Sequence, residues 1–205
     1  MVGVDEAGRG CIVGPMVVAG VALTSKAVPL LKAVGVKDSK RLSKSRREKL
    51  FPLIAENALA ISLVKVSPEE IDTRNLNDLT YEAVLKVIRS LSYLSPGVIT
   101  VDKVGREEVV VREIESMGAS PRVEHNADVL YVEASAASIV AKVIRDEQVE
   151  AIRREYGDMG SGYPSDPKTR LWISSLSEAP PFLRRSWRTL QIIAPQLYVG
   201  KPLGD

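Results

Sequence analysis

The stretch that decides the fold is the first ten residues, MVGVDEAGRG, numbered 1–10. Residues 2–4 are a short apolar run, which predicts a β-strand. The run leads directly into two adjacent carboxylates, Asp5 and Glu6, and then into the turn Gly8-Arg9-Gly10. Adjacent acids at a strand end repel each other unless a positive group holds both of them. The opening therefore predicts a site at the end of the first strand, and residues elsewhere in the chain must supply its other parts.

The composition is that of a soluble globular protein. The 205 residues are 45% hydrophobic and 26% charged with a formal net charge of +2, so no global basic field indicates nucleic acid. Two basic clusters, at 37–49 and 184–188, are most simply solvated helix faces. The single cysteine, Cys11, excludes an intrachain disulfide. No apolar run reaches the roughly 20 residues that span a bilayer, and the acidic start is unlike a signal peptide, so we expect a cytoplasmic protein.

The pattern of apolar residues mixes strands with helices. Residues 16–23 (MVVAGVAL) and 98–101 are apolar runs that predict buried strands, and 59–66 alternates with the period of a half-buried strand. The strongest helical pattern covers 132–156. Mixed strands and helices in this order predict an α/β fold with helices on both faces of the sheet. Further elements are predicted as helices over 43–55 (with Ser43 as N-cap), 77–93 and 106–117, and as a short strand over 122–124.

The composition changes near residue 160. Beyond this point the chain is rich in Pro, Ser and Arg and contains both tryptophans. We therefore predict a main domain over residues 1–160 and a C-terminal helical extension over 161–205, which packs on the main domain and does not fold alone.

Position distinguishes four of the 26 acidic residues. Asp5 and Asp102 each end an apolar strand, Glu6 follows Asp5, and Asp128 precedes the long helix. Taken alone, Asp128 is more simply a helix cap, Asp102 a turn residue and Glu6 a surface acid. If the two strands are parallel neighbours, however, their carboxyl ends meet at one sheet edge, which is where open α/β sheets place their sites.

Carboxylates gathered at one edge predict a metal site. They raise one another's pKa, and a divalent cation removes that conflict. A ligand set of oxygens alone favours Mg²⁺ or Mn²⁺ over zinc. His125, three residues before Asp128, is most simply a polar residue at a strand end, and the alternative is a proton carrier beside the site.

Several motifs occur in a fixed order along the chain. They are DEAGRG (5–10), GPMVVAG (14–20), DSKRLS (38–43), VDKVG (101–105), HNAD (125–128), SAASIVAKVIRDE (135–147), GSGYPSDPKT (160–169) and RRSWRTL (184–190). Together they closely resemble the ribonuclease HII family in its archaeal form.

The resemblance runs from residue 2 to about 193 and implies a ribonuclease H-like fold, with a mixed five-stranded central sheet, flanking helices and residues 1–160 as the catalytic domain. It implies an endonuclease that hydrolyses the RNA strand of RNA–DNA hybrids. It also implies cleavage on the 5′ side of ribonucleotides embedded in duplex DNA, leaving 3′-hydroxyl and 5′-phosphate ends.

The resemblance assigns the acidic metal site to Asp5, Glu6, Asp102 and Asp128, the four residues that strand-end position also selects. We expect two ions, Mg²⁺ or Mn²⁺, when substrate is bound, with Asp5 bridging them. The glycines on either side of Arg9 let the backbone come close to a ribose. The 2′-hydroxyl of that ribose is what distinguishes RNA from DNA.

The resemblance also implies substrate contacts, each with a structural alternative. Tyr163 corresponds to a family tyrosine that packs against the sugar at the RNA-to-DNA junction, and is otherwise a loop aromatic. Lys142 holds a phosphate or orients a carboxylate, and is otherwise a helix-surface lysine or part of a half-buried ion pair. Arg184 and Arg185 are expected to approach backbone phosphates. The expected substrate-binding residues are Gly8, Arg9, Gly10, Lys40, Lys142, Tyr163, Arg184 and Arg185.

The chain departs from the family pattern at Cys11, where Pro is frequent, and at Asn126, where Lys is frequent. Its end, QLYVGKPLGD, lacks the aromatic-containing pattern of tails that dock a sliding clamp, so we predict no such partner, and we expect a monomer. The alternatives are a metal-dependent nuclease for DNA junctions and a catalytically silent nucleic-acid-binding module. The presence of acids at all four positions argues against the silent module, because carboxylates contribute nothing to the binding of a phosphate group.

Overall fold

The computed structural model describes residues 1–37, 39–103, 105 and 107–201. Short 3₁₀ turns occupy Ser39–Arg41, Ser92–Leu94 and Pro195–Leu197. The strands and helices follow in the order β1 (Val2–Ala7), β2 (Met16–Leu23), α1 (Ala27–Ala33), α2 (Lys44–Asn57), β3 (Ala58–Val66), α3 (Pro68–Thr73), α4 (Leu76–Leu91), β4 (Val98–Asp102), α5 (Glu108–Ser116), β5 (Ser120–Glu124), α6 (Ala127–Leu130), α7 (Val132–Tyr156), α8 (Pro167–Ser174) and α9 (Arg188–Ile193).

The strand that carries the opening motif lies at the centre of the sheet. Across the described ranges, five strands are arranged in the order β3-β2-β1-β4-β5. The β1–β2 and β2–β3 pairs are antiparallel, whereas β1–β4 and β4–β5 are parallel. The predicted α/β class, a mixed five-stranded sheet with flanking helices, is confirmed. Val4 pairs with Val101 in the parallel ladder, so Asp5 and Asp102, the residues that follow, lie at the same edge.

Helices cover both faces of the sheet because successive strand residues point to opposite sides. On one face Val4 and Val18 pack against α4 and α5. On the other face Val17 and Val21 pack against α1, α2 and α7. All eight residues of β2 are buried, as its continuous apolar sequence predicts.

The long helix α7 lies very close to β1. Its first half is rich in alanine and largely buried. A Cβ built on Gly3 of β1 would lie 2.1 Å from the backbone carbonyl carbon and oxygen of Glu133, so the packing requires a glycine at this position. The strand that carries Asp5 therefore lies directly against the helix that carries Lys142.

The C-terminal segment packs on the loop between β1 and β2. A third apolar cluster joins Ile12 and Val13 of that loop to Ile173 of α8 and Leu190 of α9. Val13 also forms an isolated β-bridge with Leu183. The C-terminal helices therefore contact the loop that contains the glycine turn.

The domain boundary expected at residue 160 stays a prediction. Residues 202–205 of the predicted C-terminal extension lie outside the described residues.

The predicted ends of the strands and helices agree best with the structure for two of the longest elements. β2 and α7 begin and end where predicted. Ser43 is the N-cap of α2, and its hydroxyl accepts a hydrogen bond from the Arg46 N–H. The short helices α1 and α3 were not predicted, and the start expected for α5 at residue 106 lies outside the described residues. Within the described ranges, the structure contains no helix with the length and hydrophobicity that a membrane span requires.

Candidate active site

The four predicted acids come together where β1 and β4 end. Asp5 and Glu6 belong to the second half of β1, Asp102 is the last residue of β4, and Asp128 lies in α6. Asp5 and Asp128 are 5% and 0% exposed, whereas Glu6 and Asp102 are half-buried. Electrostatic repulsion couples Asp5 to Glu6 and Asp102, and Asp102 to Asp128. The four carboxylates therefore form one charged cluster.

Backbone hydrogen bonds orient two of these carboxylates. Asp5 Oδ1 accepts from the N–H of Glu6 at 2.7 Å. Asp102 Oδ1 accepts from the N–H of Ala127 at 2.9 Å, which ties the end of β4 to the start of α6. The residue before α6, Asn126, has a φ of 59°. Asn tolerates this left-handed conformation better than most residues do, which is a local reason for Asn at this position.

Asp128 is oriented by side chains from the 3₁₀ turn before α2. It accepts from Ser39 Oγ and from Lys40 Nζ, each at 3.2 Å. The N-cap of α7 is Tyr131, and the described residues give it no side-chain cap. The simpler expectation that Asp128 caps the long helix is therefore wrong, because Asp128 points into the acidic cluster instead.

Lys142 reaches the cluster through two buried serines. Its Nζ donates to Ser39 Oγ at 3.0 Å and to Ser138 Oγ, and the two hydroxyl oxygens lie 2.7 Å apart. Ser138 also hydrogen-bonds the Asp5 carboxylate. Lys142 is thus part of a network that spans Asp5 and, through Ser39, Asp128.

Burial is the main cause of raised pKa values in the cluster. Desolvation raises the pKa of Asp5 to about 6. Desolvation and repulsion from Asp5 and Asp102 raise the pKa of Glu6 to about 8. Burial also raises the pKa of Asp102, and the attraction of Lys142 offsets these increases in part. Because the pKa of Glu6 lies above 7, its carboxyl group holds a proton near neutral pH.

The donor set fits a hard divalent cation. Within the described ranges, no three His, Cys, Asp or Glu side chains lie close enough together to enclose a metal ion. The candidate ligands are carboxylate oxygens alone, a donor set that suits Mg²⁺ or Mn²⁺ better than zinc. Mg²⁺ and Mn²⁺ do fit, because Mg²⁺ in particular keeps several waters and shares oxygens with a substrate phosphate. His125 is exposed in the turn after β5. This position agrees with the simpler interpretation of His125 as a polar residue at a strand end. The residues that would hold such ions are Asp5, Glu6, Asp102 and Asp128.

The raised pKa of Glu6 makes the stability of the metal-free protein depend on pH. Glu6 protonates at about pH 8 when folded but has an ordinary value of 4.5. Between these values the folded state binds more protons than the unfolded state, so stability falls as the pH rises. We expect Glu6→Gln, which cannot ionise, to raise the melting temperature in EDTA at pH 8 by about 2–6 °C. It should also flatten the decline of melting temperature between pH 5 and pH 8. Thermal unfolding followed by circular dichroism measures both.

The control for this prediction is Glu48→Gln, on the exposed side of α2. It removes a carboxylate without relieving any burial, so the decline of melting temperature with pH should match the wild type. An unchanged slope in Glu6→Gln would contradict the burial of charge at Glu6.

The glycine turn lines a cavity beside the acids. Gly8 has a φ of +79°, and a Cβ there would lie 2.9 Å from the Pro15 carbonyl oxygen, so the fold itself requires glycine. At Gly10, in contrast, an added Cβ would meet no heavy atom of the described chain within 4 Å. The cavity has a volume of about 430 Å³, and its lining includes Glu6, Gly8, Arg9, Lys40, Lys142 and Tyr163.

Arg184 and Arg185 do not line this cavity. Arg184 is 0% exposed, and its Nε and Nη1 donate to the carbonyl oxygens of Gly14 at 2.9 Å and Arg9 at 3.0 Å. The expected phosphate contact of Arg184 is therefore wrong, because its guanidinium is buried against the loop. Burial lowers the pKa of Arg184 to about 10. Arg185 is half-buried, donates from Nε to the Leu197 carbonyl at 3.0 Å, and lines a separate cavity.

Two residues that the sequence did not single out, Ser39 and Ser138, connect the acids to Lys142. The buried Arg145, which was not among the expected substrate-binding residues, lines the cavity. Spacing could have indicated the serines. Ser39 immediately precedes Lys40, and Ser138 lies one helical turn before Lys142, so the two share a face of α7.

Comparison with known proteins identifies the family of the chain. A family model described as Ribonuclease HII matches residues 2–190. The chain belongs to the ribonuclease HII family. Ribonuclease HII of Sulfolobus acidocaldarius is 54% identical over 210 residues, which cover 100% of this chain and 99% of the relative. The predicted family and enzyme class, a ribonuclease H of type II, are therefore confirmed.

Solved structures of ribonuclease HII share the fold. The ribonuclease H2 from Pyrococcus horikoshii OT3 superposes with a TM-score of 0.84 at 36% identity, covering 96% of this chain and 97% of that one. Ribonuclease HII from Archaeoglobus fulgidus, solved in the PCNA:RNase HII complex, gives 0.83 at 37% identity, covering 94% and 96%. The ribonuclease H-like fold predicted from the motifs is confirmed.

Proposed function

We propose that the chain hydrolyses the RNA strand of RNA–DNA hybrids and cleaves 5′ of ribonucleotides embedded in duplex DNA, leaving 3′-hydroxyl and 5′-phosphate ends. One observation carries the proposal. The cavity that begins at the carboxylate cluster is lined by a glycine turn, whose open space at Gly10 lets a sugar approach the backbone. Family membership supports the reaction class, and the cavity supports a ribose-bearing substrate.

The chemistry that we propose is metal-assisted phosphodiester hydrolysis. Two Mg²⁺ or Mn²⁺ ions, if bound, would supply a water of lowered pKa and would neutralise charge on the departing 3′ oxygen. Asp5, Glu6, Asp102 and Asp128 would hold these ions. The proton that Glu6 holds near neutral pH would have to leave for the site to fill. Lys142 stays in the serine network, where it orients the carboxylates.

The backbone of the glycine turn is assigned to the ribose. Peptide groups of Gly8, Arg9 and Gly10 would contact the 2′-hydroxyl, which can donate and accept a hydrogen bond, and the adjoining phosphate. Tyr163 is 41% exposed and would pack its ring against the neighbouring sugar. The Lys40 side chain is 54% exposed, so its ammonium is accessible to a phosphate as well as to Asp128.

Gly10→Ala tests the approach of the ribose to the turn. The methyl group has room in the free protein, so the melting temperature should stay within about 2 °C of the wild type. The same methyl group would occupy the space assigned to the sugar, so kcat/KM on a duplex with one ribonucleotide should fall about 10- to 100-fold. Cleavage kinetics and thermal unfolding measure the two effects.

Gly97→Ala is the matched control, because its added Cβ also meets no described atom within 4 Å, and it should retain wild-type kinetics. Wild-type activity in Gly10→Ala would show that the ribose does not approach this turn.

The decisive assay compares two duplexes of the same sequence, one all DNA and one with a single embedded ribonucleotide. We expect Mg²⁺-dependent cleavage 5′ of the ribonucleotide and none of the all-DNA duplex, with no product in EDTA. Cleavage of all-DNA junctions instead would favour the junction nuclease. Binding of both duplexes without cleavage would favour the silent binding module.

We further infer that the chain acts as a cytoplasmic monomer, and we expect it to form no complex with a sliding clamp. The Archaeoglobus fulgidus relative was solved with PCNA, which is a property of that protein. The C-terminal residues 202–205, on which the expected lack of a tail partly depends, lie outside the described residues. Gel filtration of the full chain, alone and with a sliding clamp, tests both points, since a co-eluting complex would contradict the second.

A further inference from the structure

The loop that carries Tyr163 is hydrogen-bonded to the segment that follows the glycine turn. Tyr163 lines the cavity beside the acids. The carbonyl oxygen of the preceding Gly162 accepts from the N–H groups of Ile12 at 2.8 Å and Val13 at 3.3 Å. The Tyr163 loop and the residues just after Gly10 are therefore joined through their backbones.

Arg145 of α7 fills the space between these two loops. The residue is 5% exposed. Its Nη2 donates to Cys11 Sγ at 2.9 Å and to the Ser161 carbonyl at 3.0 Å. Its guanidinium carbon lies 5.2 Å from the centre of the Tyr163 ring, within the range of a cation–π contact. Nη1 pairs with Asp146 Oδ1 at 3.2 Å. One buried cation thus contacts both loops.

Glycines on both loops make room for this side chain. A Cβ on Gly162 would lie 3.2 Å from Arg145 Nη2, and a Cβ on Gly8 would lie 3.1 Å from Arg145 Cγ. In an interior packed this closely, side chains have little free volume in which to move. The glycine turn therefore packs against Arg145, and Gly8 and Arg145 both line the cavity.

Cys11 contacts the same group from the glycine-turn side. It is fully buried and directly follows Gly10. Burial, together with the Cys11 thiol that hydrogen-bonds its hydroxyl, raises the pKa of Tyr163 to about 12. Burial also raises the pKa of the Cys11 thiol, so the thiol is a neutral packing group and not a nucleophile. Thiol, guanidinium and phenol are in mutual contact.

We propose that Arg145 and Cys11 are positioning residues that fix the Tyr163 ring relative to the turn at 8–10, and so set the preference for a ribonucleotide–deoxyribonucleotide junction over continuous RNA. The inference rests on the proposed function, in which the turn contacts the ribose and Tyr163 packs on the next sugar. An aromatic face gains by covering a deoxyribose and loses by burying a 2′-hydroxyl without a partner. A Tyr163 ring that is held in place cannot move away from that hydroxyl. A fixed ring therefore favours the junction substrate over continuous RNA.

A double-mutant cycle tests this pair. Cys11→Ala, Tyr163→Ala and the double variant are compared by kcat/KM on a single-ribonucleotide duplex and on a continuous RNA–DNA hybrid. We expect Cys11→Ala to lower the junction-to-hybrid ratio about three- to tenfold. In the Tyr163→Ala background the same substitution should change the ratio no further. Cys11→Ser keeps an acceptor for Arg145, so it should recover most of the ratio.

Arg145→Lys is a second variant, which keeps the charge but loses the planar group that reaches Cys11 and Ser161 together. It should lower the ratio at least as much as Cys11→Ala, and it tests the inference independently should Cys11→Ala not fold. The matched control is Ile71→Val, in the core that packs against α4. This substitution should lower the stability of the protein. It should leave the junction-to-hybrid ratio unchanged, both in the wild type and in the Tyr163→Ala variant. Melting temperatures of all variants separate loss of fold from loss of preference.

The outcomes distinguish the inference from the proposed function. An unchanged ratio in Tyr163→Ala would overturn both the assigned role of Tyr163 and the positioning pair. A lowered ratio in Tyr163→Ala with wild-type ratios in Cys11→Ala and Arg145→Lys would overturn the positioning pair alone. Additive effects of Cys11→Ala and Tyr163→Ala would also overturn it, because a positioning residue acts through the residue that it positions.

Discussion

Asp5→Asn is expected to lower kcat/KM for Mg²⁺-dependent cleavage of a ribonucleotide-containing duplex by at least about 1,000-fold. Asp5 is a buried acid of the cluster, and its carboxylate repels those of Glu6 and Asp102 and hydrogen-bonds Ser138. Asparagine keeps the size of the side chain and one acceptor oxygen but removes the negative charge that a shared cation needs. Steady-state cleavage at saturating Mg²⁺ measures the loss, and calorimetric titration with Mn²⁺ checks that ion binding weakens as well.

The fold should survive this substitution. Burial raises the pKa of Asp5 to about 6, so the charged form is already disfavoured, and a neutral amide relieves that cost. The matched control is Glu133→Gln, a carboxylate 3% exposed that accepts from Thr100 and Arg122 through the single oxygen Oε1. It removes a buried charge outside the cavity, so activity should stay within about fivefold of the wild type. Activity of Asp5→Asn within tenfold of the wild type would reject the metal scheme.

The positions of the acids could be predicted because strand order places the ends of parallel neighbours together. Asp5 and Asp102 follow paired residues of β1 and β4, and each is preceded by an apolar run in the sequence. Asp128 was more ambiguous. Its neighbours, Ser39 and Lys40, lie almost 90 residues earlier in the chain, so no local pattern separates a helix cap from a member of the cluster.

Burial of charged groups could not be predicted from the sequence. Arg184 is part of a basic cluster, and such residues are exposed in most proteins. Its partners are the carbonyls of Arg9 and Gly14, which belong to the opposite end of the chain. Spacing places Ser138 on the same face of α7 as Lys142, but the contact between Ser39 and Ser138 could not be predicted, because these residues meet only once the 3₁₀ turn packs on α7. Contacts of this kind follow from tertiary structure and leave no periodic signal.

Short helices were missed for two different reasons. The helix α1 contains Pro29 and buries only Ala27 and Leu31 among its residues, so it has no strong apolar stripe. The helix α3 did carry a signal, since Ser67 and Glu70 form a capping box with Pro68 at the first turn. Its six residues are too few for periodicity to indicate a helix, so the capping pattern is the signal that marks this helix in the sequence.

Gly3→Ala is expected to destabilise the protein by at least about 3 kcal/mol, which corresponds to a fall in melting temperature of about 6–12 °C for a chain of this size. The new Cβ would lie 2.1 Å from the backbone of Glu133, and a backbone carbonyl in the first turn of a helix cannot rotate away as a side chain can. Relief would need α7 to move away from β1, and this would open the packing of the buried helix on the sheet. Thermal unfolding followed by circular dichroism measures the loss.

Gly97→Ala separates this steric effect from the general cost of replacing a glycine. Gly97 precedes β4, its backbone is not in the left-handed region, and an added Cβ meets no described heavy atom within 4 Å. Its melting temperature should stay within about 2 °C of the wild type. If Gly3→Ala melted as Gly97→Ala does, β1 and α7 could not be in backbone contact. The site would then lose the constraint that holds Asp5, two residues beyond Gly3, against the Lys142 and Ser138 network of α7.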